Sequence, residues 1–455
     1  MRYLFGLLMA LLSACAQQTE FQRPPPPIAQ QWPGMASHPQ EAGRLHWRQY
    51  FVDPRLHVLI ESALKNNRDL RIAVARVQEA KAQFGLAQAD RLPSLNVQAG
   101  AVFTGVPAGL SGTNQSSASE RYDLAASSVS YEVDFWGRVA SLSEAARNSY
   151  LATEEARRAF EISLIADVAT TYFGLLQTDE LVAFARDSLQ SRSQSLDLVT
   201  KGRDVGGTFD QEVEQSQSLQ ESAKAAIESL EHQRNTIVNR LNYLVGEDVK
   251  DLPPGLTLEN QGFGEMLLPG IPSEVLLLRP DVIAAEKRLL AAHANIDAAR
   301  AAFLPRVLLT SSLGLAGQGL AALFSGAAWS FQPLISLPLF DGGRLDAGLD
   351  LAQARKVLAV AEYEKTIQAA FREVADLLSA RVSLSRQMRS ALINEKSQQK
   401  LLDIAVARNR IGVSSYLEVL DRQRELVAVQ QITVQLKRAQ LEAAAQLYKA
   451  LGGGA

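Results

Sequence analysis

The chain has 455 residues, 47% of them hydrophobic and 21% charged, with a net charge of −3. Because 46 Lys and Arg are balanced by 49 Asp and Glu, the sequence is not that of a basic nucleic-acid binder, and it is too apolar to be disordered. One cysteine excludes a disulfide scaffold. Beyond the N-terminus, no apolar run reaches the roughly 18 residues that a membrane-spanning helix needs.

The N-terminus is typical of a secreted protein. Arg2 precedes a short apolar run at 3–12, which predicts a signal peptide over residues 1–14. Leu-Ser-Ala-Cys resembles a bacterial lipobox, so Cys15 is expected to carry a lipid and to begin the mature chain. The alternative is an ordinary signal peptide that ends near a cysteine. The Pro-rich residues 17–27 predict an extended tether.

Prolines are absent between Pro107 and Pro253 and again after Pro338. Because proline breaks helices, these gaps predict very long helices over about 137–200 and 344–409. Each would be on the order of 95–100 Å long, at about 1.5 Å per residue. In the last helix an apolar residue every seven positions predicts a coiled-coil packing seam: Leu420, Val427, Val434, Leu441 and Tyr448.

The sequence contains an internal repeat. Residues 69–76 align with 281–288 at an offset of 212, and Gly137-Arg138 aligns with Gly343-Arg344 at an offset of 206. Each unit is predicted to contain a helix, two strands, a long helix, a turn and a return helix. The predicted order is a signal peptide (1–14), a lipidated tether with an equatorial segment (15–58), the first repeat (59–252), an equatorial linker (253–272) and the second repeat (273–455).

Four short segments alternate between apolar and polar residues, as Val97 and Ala99 do with Gln98 and Gly100. This alternation predicts strands with one apolar face, and about ten residues is the length of a tilted transmembrane strand. The alternative is the edge of a soluble sandwich. Nearby aromatic residues are candidates for an interfacial girdle: Tyr122, Tyr131, Trp136 and Trp329. The predicted strands lie at about 94–104, 127–136, 306–315 and 329–339.

Four strands cannot close a membrane barrel, because bacterial barrels begin at about eight strands. An open sheet edge is not tolerated in lipid, where its backbone groups have no partner. If the strands lie in a membrane, the chain must therefore associate, and two chains give about 8 strands while three give about 12. The polar links at 105–121 and 316–328 would then be the outer loops.

Several motifs resemble the TolC/OprM-like outer-membrane efflux family, in its lipoprotein branch. They run in order through nearly the whole chain and occur in both repeats. The motifs are Leu-Ser-Ala-Cys (12–15), Tyr-Glu-Val-Asp-Phe-Trp-Gly-Arg (131–138), Leu-Arg-Pro-Asp-Val (278–282), Ala-Ala-Arg-Ala-Ala-Phe-Leu-Pro (298–305), Leu-Pro-Leu-Phe-Asp-Gly-Gly-Arg (337–344) and Tyr-Leu-Glu-Val-Leu-Asp (416–421).

The resemblance implies a mainly α fold with a transmembrane β part. A trimer would build a barrel of about 12 strands above a periplasmic α-barrel of long helices, with a mixed equatorial belt around it that draws on residues 30–54, 252–272 and the C-terminus. The protein would be lipid-anchored in the outer membrane of a Gram-negative bacterium and extend into the periplasm. Its partners would be a periplasmic adaptor (a membrane fusion protein), an inner-membrane pump and outer-membrane lipid, with no nucleic acid. Together they would export drugs or other toxic small molecules.

Two turns, at 201–210 and 408–415, separate the long helices from their return helices. In both, Gly follows basic residues, which is an ordinary helix end. Thr208-x-x-Gln211 and Ser415-x-x-Glu418 predict capping boxes, which would give Glu418 a structural role.

The resemblance implies that these turns form a periplasmic mouth. Three acidic residues align with the positions that line the family's constriction, and in a trimer each would form a ring that favours cations: Glu212, Glu418 and Asp421. Three Arg are candidates for ion pairs that hold the mouth shut: Arg408, Arg410 and Arg422. The family's gate often carries a Tyr and an Arg, where this sequence has Asn409 and Ser414.

No catalytic motif is found. The sequence lacks a Gly-x-x-x-x-Gly-Lys loop, a His-Glu-x-x-His pair and a Gly-x-Ser-x-Gly elbow, and its five His are scattered. We therefore expect no enzyme activity, no metal site and no cofactor apart from the lipid on Cys15. Two alternatives to an export duct stay open: a lipid-anchored periplasmic coiled-coil adaptor or scaffold without a membrane barrel, and an enzyme on a helical scaffold.

Overall fold

The structure is a computed structural model that describes residues 21–29, 32, 46–110, 116–207, 209–248, 252–263 and 273–453. The predicted signal peptide, Cys15 and Thr208 lie outside the described residues. The chain divides into two compact units. The first contains the described residues before 27 together with 75–155 and 283–365, and the second contains the rest of the described chain.

Helices dominate the described residues. There are eight α-helices in this part of the chain: α1 Trp47–Tyr50, α2 Pro54–Asn66, α3 Arg68–Ala89, α4 Arg138–Asp204, α5 Asp210–Val245, α6 Pro280–Ala301, α7 Arg344–Arg410 and α8 Tyr416–Ala450. From α3 onward they repeat in order and nearly in length: α3 and α6 have 22 residues, α4 and α7 have 67, and α5 and α8 have 36 and 35. The prediction of two helices about 100 Å long is confirmed, since each residue adds about 1.5 Å.

Helix α4 contains a stretch whose composition is apolar enough to cross a membrane, although no unbroken apolar run reveals it in the sequence. Within the structure, 61% of that stretch is buried. The helix supplies Val168, Tyr172 and Phe173 to a protein core. Packing against other helices therefore accounts for its apolar character.

Both long helices begin at an aspartate cap. Asp134 accepts hydrogen bonds from the backbone N–H groups of Val139 (3.1 Å) and Ala140 (2.7 Å) at the start of α4. Asp341 accepts three such bonds, at 2.9–3.1 Å, from residues 343–345 at the start of α7. A carboxylate there satisfies the free N–H groups and faces the positive end of the helix dipole, so both helix starts are fixed locally.

The core of the second unit forms where α2, α4 and α8 pack together. Helix α2 contributes Leu59 and Ile60, and α4 contributes Tyr172. Helix α8 contributes three members of the predicted seven-residue seam: Val434, Leu441 and Tyr448. This half of the seam is thus a packing surface, as the spacing predicts.

A buried carboxylate ties the linker to this core. Asp53 accepts a hydrogen bond from the backbone N–H of Arg55 (2.8 Å) and caps α2. It also accepts bonds from the Tyr172 hydroxyl (2.9 Å), the Leu256 N–H (3.1 Å) and the Gln261 side chain. These donors replace the water that a buried carboxylate loses, so the linker is held against α2 and α4.

The end of the predicted tether is docked on α6. The Arg23 guanidinium forks onto Glu286 with N–O distances of 2.5–2.8 Å, and Phe21 packs against His293. The hydrogen bond to Glu286 raises the pKa of Arg23. Residues 21–26 have no helix or strand, as an extended tether predicts, but this segment is fixed at Arg23.

The first unit contains an antiparallel sheet with the strand order β1-β2-β3-β4. The strands are β1 Asn96–Val106, β2 Ser117–Val133, β3 Arg306–Gly317 and β4 Ala327–Ser336. We call the end that carries the β1–β2 and β3–β4 connections the loop end, and the end that leads into α4 and α7 the helix end. Strands β1 and β4 are the edges, and no other described strand of the chain pairs with their outer sides.

Strand β2 is longer than predicted. It begins at Ser117 instead of near residue 127, so residues 117–121 belong to the strand and not to an outer loop. The other strands differ from their predicted bounds by two or three residues at an end. The sequence hides the first half of β2 because its alternation changes parity at a bulge after Ser128.

Candidate functional site

The strand register gives the sheet one polar and one apolar face. Directly paired residues share a face, and successive residues along a strand alternate between faces. One row crosses all four strands with small polar side chains: Asn96, Ser127, Ser312 and Ser330. The next row lies on the opposite face and is apolar: Val97, Ala126, Leu313 and Trp329.

The apolar face is open to its surroundings in the single chain. Leu313, Trp329 and Phe331 are 68%, 76% and 58% exposed. An exposed apolar face of this extent marks a surface that contacts protein or membrane. Together with a polar opposite face, it is the pattern of an outer-membrane barrel strand, apolar toward lipid and polar toward the lumen.

A bulge in β2 keeps the two faces consistent. Ser128 pairs with Ser311, whereas Tyr131 pairs with Leu309, so β2 has one extra residue between these pairs. The extra residue shifts the parity, because it moves every later side chain to the other face. Tyr131 therefore joins the apolar face, and Glu132 joins the polar one.

The extra residue is accommodated by a specific contact. Ser130 has a left-handed φ of 54°, which non-glycine residues seldom adopt. Its backbone N–H, which has no ladder partner at a bulge, donates to the Thr310 hydroxyl oxygen at 3.1 Å. A side chain of the neighbouring strand thus satisfies the backbone group that the bulge leaves over.

The candidate girdle residues lie toward both ends of the sheet. Tyr122 pairs with the last residue of β3, and Trp329 is the third residue of β4, so both are near the loop end. Tyr131 is near the helix end. Trp136 lies beyond β2, where its indole N–H donates to the Pro305 carbonyl oxygen at 2.7 Å.

The two turns between long and return helices have the same construction. Gly206 and Gly412 adopt left-handed φ angles of 73° and 76°, which end α4 and α7. Basic residues precede both turns. Glu212 and Glu418 each lie in the first turn of the return helix that follows.

The structure brings together two of the predicted mouth residues. Arg408 Nη1 lies 3.5 Å from Glu418 Oε1. Asp421 pairs with Arg424 at 3.3 Å and not with Arg422. Residues three apart share a helix face whereas adjacent residues do not, which explains this choice of partner.

The remaining mouth candidates have no such partner among the described residues. Glu212, Arg410 and Arg422 form no ion pair with another described residue. The described part of the chain also contains no group of three or more His, Cys, Asp or Glu residues placed to hold a metal ion.

The predicted capping box at α8 is wrong. Ser415 is the N-cap residue, but its side chain makes no capping hydrogen bond. The Glu418 carboxylate is directed to Arg408, because a charge-assisted contact competes well with a bond to a neutral backbone N–H. At α5 the N-cap is Phe209, which has no capping side chain.

Two contacts near the turns were not expected from the sequence. The Asn409 amide donates to the Ser414 carbonyl oxygen at 2.9 Å, within the turn between α7 and α8. The Ser195 and Tyr416 hydroxyls are 2.8 Å apart and connect α4 to the start of α8. These last two residues are 221 positions apart, so no spacing rule indicates their contact.

Arg279, in the Leu-Arg-Pro-Asp-Val motif, joins three helices. It donates to Asp281 (2.8 Å) on α6, to Glu373 (3.0 Å) on α7 and to the carbonyl oxygen of Ala450 (2.6 Å) on α8. Burial lowers the pKa of the guanidinium, but the two carboxylates raise it by more, so the net pKa shift is upward. The motif therefore fixes the end of the return helix.

These features define a class of protein: an integral outer-membrane channel whose sheet continues into long helices. The chain belongs to the outer membrane efflux protein family, whose profile matches residues 59–247 and 271–453. The resemblance expected from the motifs is confirmed, as is the outer-membrane location. The family comprises efflux channels and is not a family of enzymes.

Similar proteins match over nearly their whole lengths. The solvent efflux pump outer membrane protein SrpC of Pseudomonas putida is 40% identical over 99% of this chain and 97% of its own length. The outer membrane protein OprJ of Pseudomonas aeruginosa is 39% identical over 99% and 95%. The crystal structure of the open state of the Neisseria gonorrhoeae MtrE outer membrane channel has a TM-score of 0.88 at 34% identity, covering 97% of this chain and 98% of that one.

Proposed function

We propose that three copies of the chain close their sheets into one barrel of about 12 strands, which is the exit duct of a tripartite efflux pump. The observation that carries this proposal is a two-faced sheet with open edges at β1 and β4. Lipid does not tolerate unpaired edges, because their backbone groups find no hydrogen-bond partner there. Pairing β4 of each copy with β1 of the next removes every edge.

A trimer suits a duct better than a dimer. A barrel of about eight strands is just wide enough for its own side chains, whereas larger barrels leave a channel. One row of the polar face carries only small, neutral side chains: Asn96, Ser127, Ser312 and Ser330. In a wider barrel they would line a hydrated passage.

The helices and the N-terminus complete the duct. Helices α4 and α7, each about 100 Å long, would extend the passage into the periplasm toward an adaptor and an inner-membrane pump, which supplies the energy. SrpC is named as part of a solvent efflux pump, and we assign this chain the same class of cargo, toxic small molecules such as solvents or drugs. A lipid on Cys15 would lie within about 28 Å of Arg23, the reach of eight extended residues.

The two helix turns are proposed to form the periplasmic mouth. Glu212 and Glu418 occupy equivalent places in their return helices, and Asp421 follows one turn later. In a trimer each would supply three carboxylates around the axis, an arrangement that favours cations. The contact between Arg408 and Glu418 supports the idea that Arg side chains offset this charge while the mouth is closed.

Adjacent residues on β3 provide a matched test of the barrel. Leu313→Lys places a charge on the apolar face, where a lipid-facing Lys costs up to about 2–4 kcal/mol per copy according to its depth. Ser312→Lys places the same charge on the polar face. We expect the first variant to lose the SDS-resistant trimer in the outer-membrane fraction and to fail to restore solvent and drug tolerance to a deletion strain. The second should keep both.

Equal assembly and export by the Leu313→Lys and Ser312→Lys variants would contradict the barrel. That result would favour a lipid-anchored scaffold, which needs no apolar sheet face.

A further inference from the structure

The polar face of β2 carries an ion pair that the mouth described above does not involve. Arg121 Nε lies 2.8 Å from Asp123 Oδ1. The two residues are two positions apart on one strand, so their side chains share a face. That face is the one that carries Ser127, because Asp123 and Ser127 are four positions apart and both precede the bulge.

The pair lies near the loop end of the sheet. From Arg121 to Val133, the last residue of β2, there are 133 − 121 = 12 residue steps. At about 3.3 Å per residue and a tilt of about 45°, this corresponds to roughly 28 Å along a barrel axis, close to the height of about 25 Å of an apolar barrel band. The pair is therefore at the outer margin of that band.

The polar face is uncharged between this pair and the helix end. Between Asp123 and the helix end, every polar-face position of the described strands has a neutral residue, for example Gln98, Thr310 and Gln332. At the helix end, Glu132 is held by Arg138 through two hydrogen bonds of 2.7–2.8 Å. Arg121 and Asp123 are thus the outermost charges on the polar face of the described strands, because Glu120, one residue nearer the loop end, lies on the opposite face, paired with Phe103.

We infer that Arg121 and Asp123 are charge-determining residues of the exit, where three mutually neutralising pairs surround the lumen and let solutes of either charge leave. The inference rests on the trimeric barrel proposed above. The neutralisation does not require a strong bond, because opposite charges 2.8 Å apart cancel at the distance of a passing solute. Removing one partner would leave a ring of three like charges, which is a selectivity element.

The test is the ratio of cation to anion permeability in planar bilayers, measured at about 0.1 M salt, where the screening length is about 10 Å. Arg121→Gln should raise the ratio about two- to five-fold, because three carboxylates lose their partners. Asp123→Asn should lower it by a similar factor. The double variant Arg121→Gln/Asp123→Asn restores neutrality and should return the ratio to that of the unmodified protein.

Two outcomes separate this inference from the proposed function. If trimeric channels conduct but none of the three variants changes the permeability ratio, the exit-charge inference is overturned while the duct stands. If the unmodified protein forms no trimeric channel, the proposed function fails, and the inference fails with it. SDS-resistant trimer in each variant establishes that a changed ratio does not come from misassembly.

Discussion

Arg408 and Glu418 meet across the turn between α7 and α8, with side chains 49% and 33% exposed. An ion pair this exposed contributes only about 0–1 kcal/mol to stability. Its importance in the proposed trimer is therefore electrostatic, because it offsets carboxylate charge at a place where three copies would converge. The Asn409 amide donates a hydrogen bond to the Ser414 carbonyl oxygen and so bridges the same turn.

Replacing both Glu418 and Asp421 by Ala should reduce the preference of the channel for cations, since six carboxylates leave the proposed mouth. We expect the permeability ratio in planar bilayers to fall about two- to five-fold. Arg408→Ala should shift it the opposite way, because it frees the Glu418 carboxylate. Glu228→Ala, on an exposed position of α5, is the control. Unchanged selectivity in both mouth variants would exclude these residues from the conducting path.

For individual residues, the sequence predicts where a side chain lies in a helix better than it predicts which side chain it pairs with. The turn spacing places Glu212 and Glu418 at helix starts, where the structure also has them. The ion partner of Asp421 depends on helix geometry, and the contact of Arg279 with Glu373 joins residues 94 positions apart. Such contacts follow from packing between distant segments, which a single sequence does not display.

In strand β2, one extra residue changes which side chains lie on each face of the sheet. Before the bulge, the odd-numbered residues Arg121, Asp123 and Ser127 lie on the polar face. After it, the odd-numbered residues Tyr131 and Val133 lie on the apolar face. A period-two pattern extended through the bulge breaks down, which is why only the second half of the strand is evident in the sequence.

Deleting Ser130 should therefore disrupt the sheet, because one half of β2 must present its side chains to the wrong face. We expect a large loss of SDS-resistant trimer. Ser130→Gly keeps the residue count and relieves the left-handed conformation, which costs a non-glycine residue about 1–2 kcal/mol. The trimer of this control should dissociate at the same temperature as the unmodified trimer or at a higher one. The dissociation temperature is measured by heating samples before electrophoresis. A deletion variant as stable as the unmodified trimer would show that the bulge does not set the faces.

The long helices were easier to predict than the strands. Proline-free stretches and aligned repeats depend only on local sequence, and α4 and α7 both have the expected extent. Which face a strand residue lies on depends on how the strand pairs with its neighbours. The sequence of a single segment does not contain this pairing register.

At the scale of the whole molecule, the proposal is that the sheet and the helices of three copies line one passage. A two-faced sheet is incomplete alone, because its apolar face is exposed and its edges at β1 and β4 are open. The family relationship establishes an outer-membrane efflux protein. The proposed trimer would explain why the chain carries four strands and not a closed barrel.

The most direct test is a cysteine cross-linking scan between the two sheet edges. One cysteine is placed on the apolar face of β1 (Val97→Cys, Ala99→Cys or Ala101→Cys) and one on that of β4 (Ala327→Cys, Trp329→Cys or Phe331→Cys). If β4 of each copy pairs with β1 of the next, at least one combination should oxidise to a covalent trimer, while each single variant gives no cross-link. Covalent dimers from single variants, or no cross-link in any combination, would contradict a closed trimeric barrel.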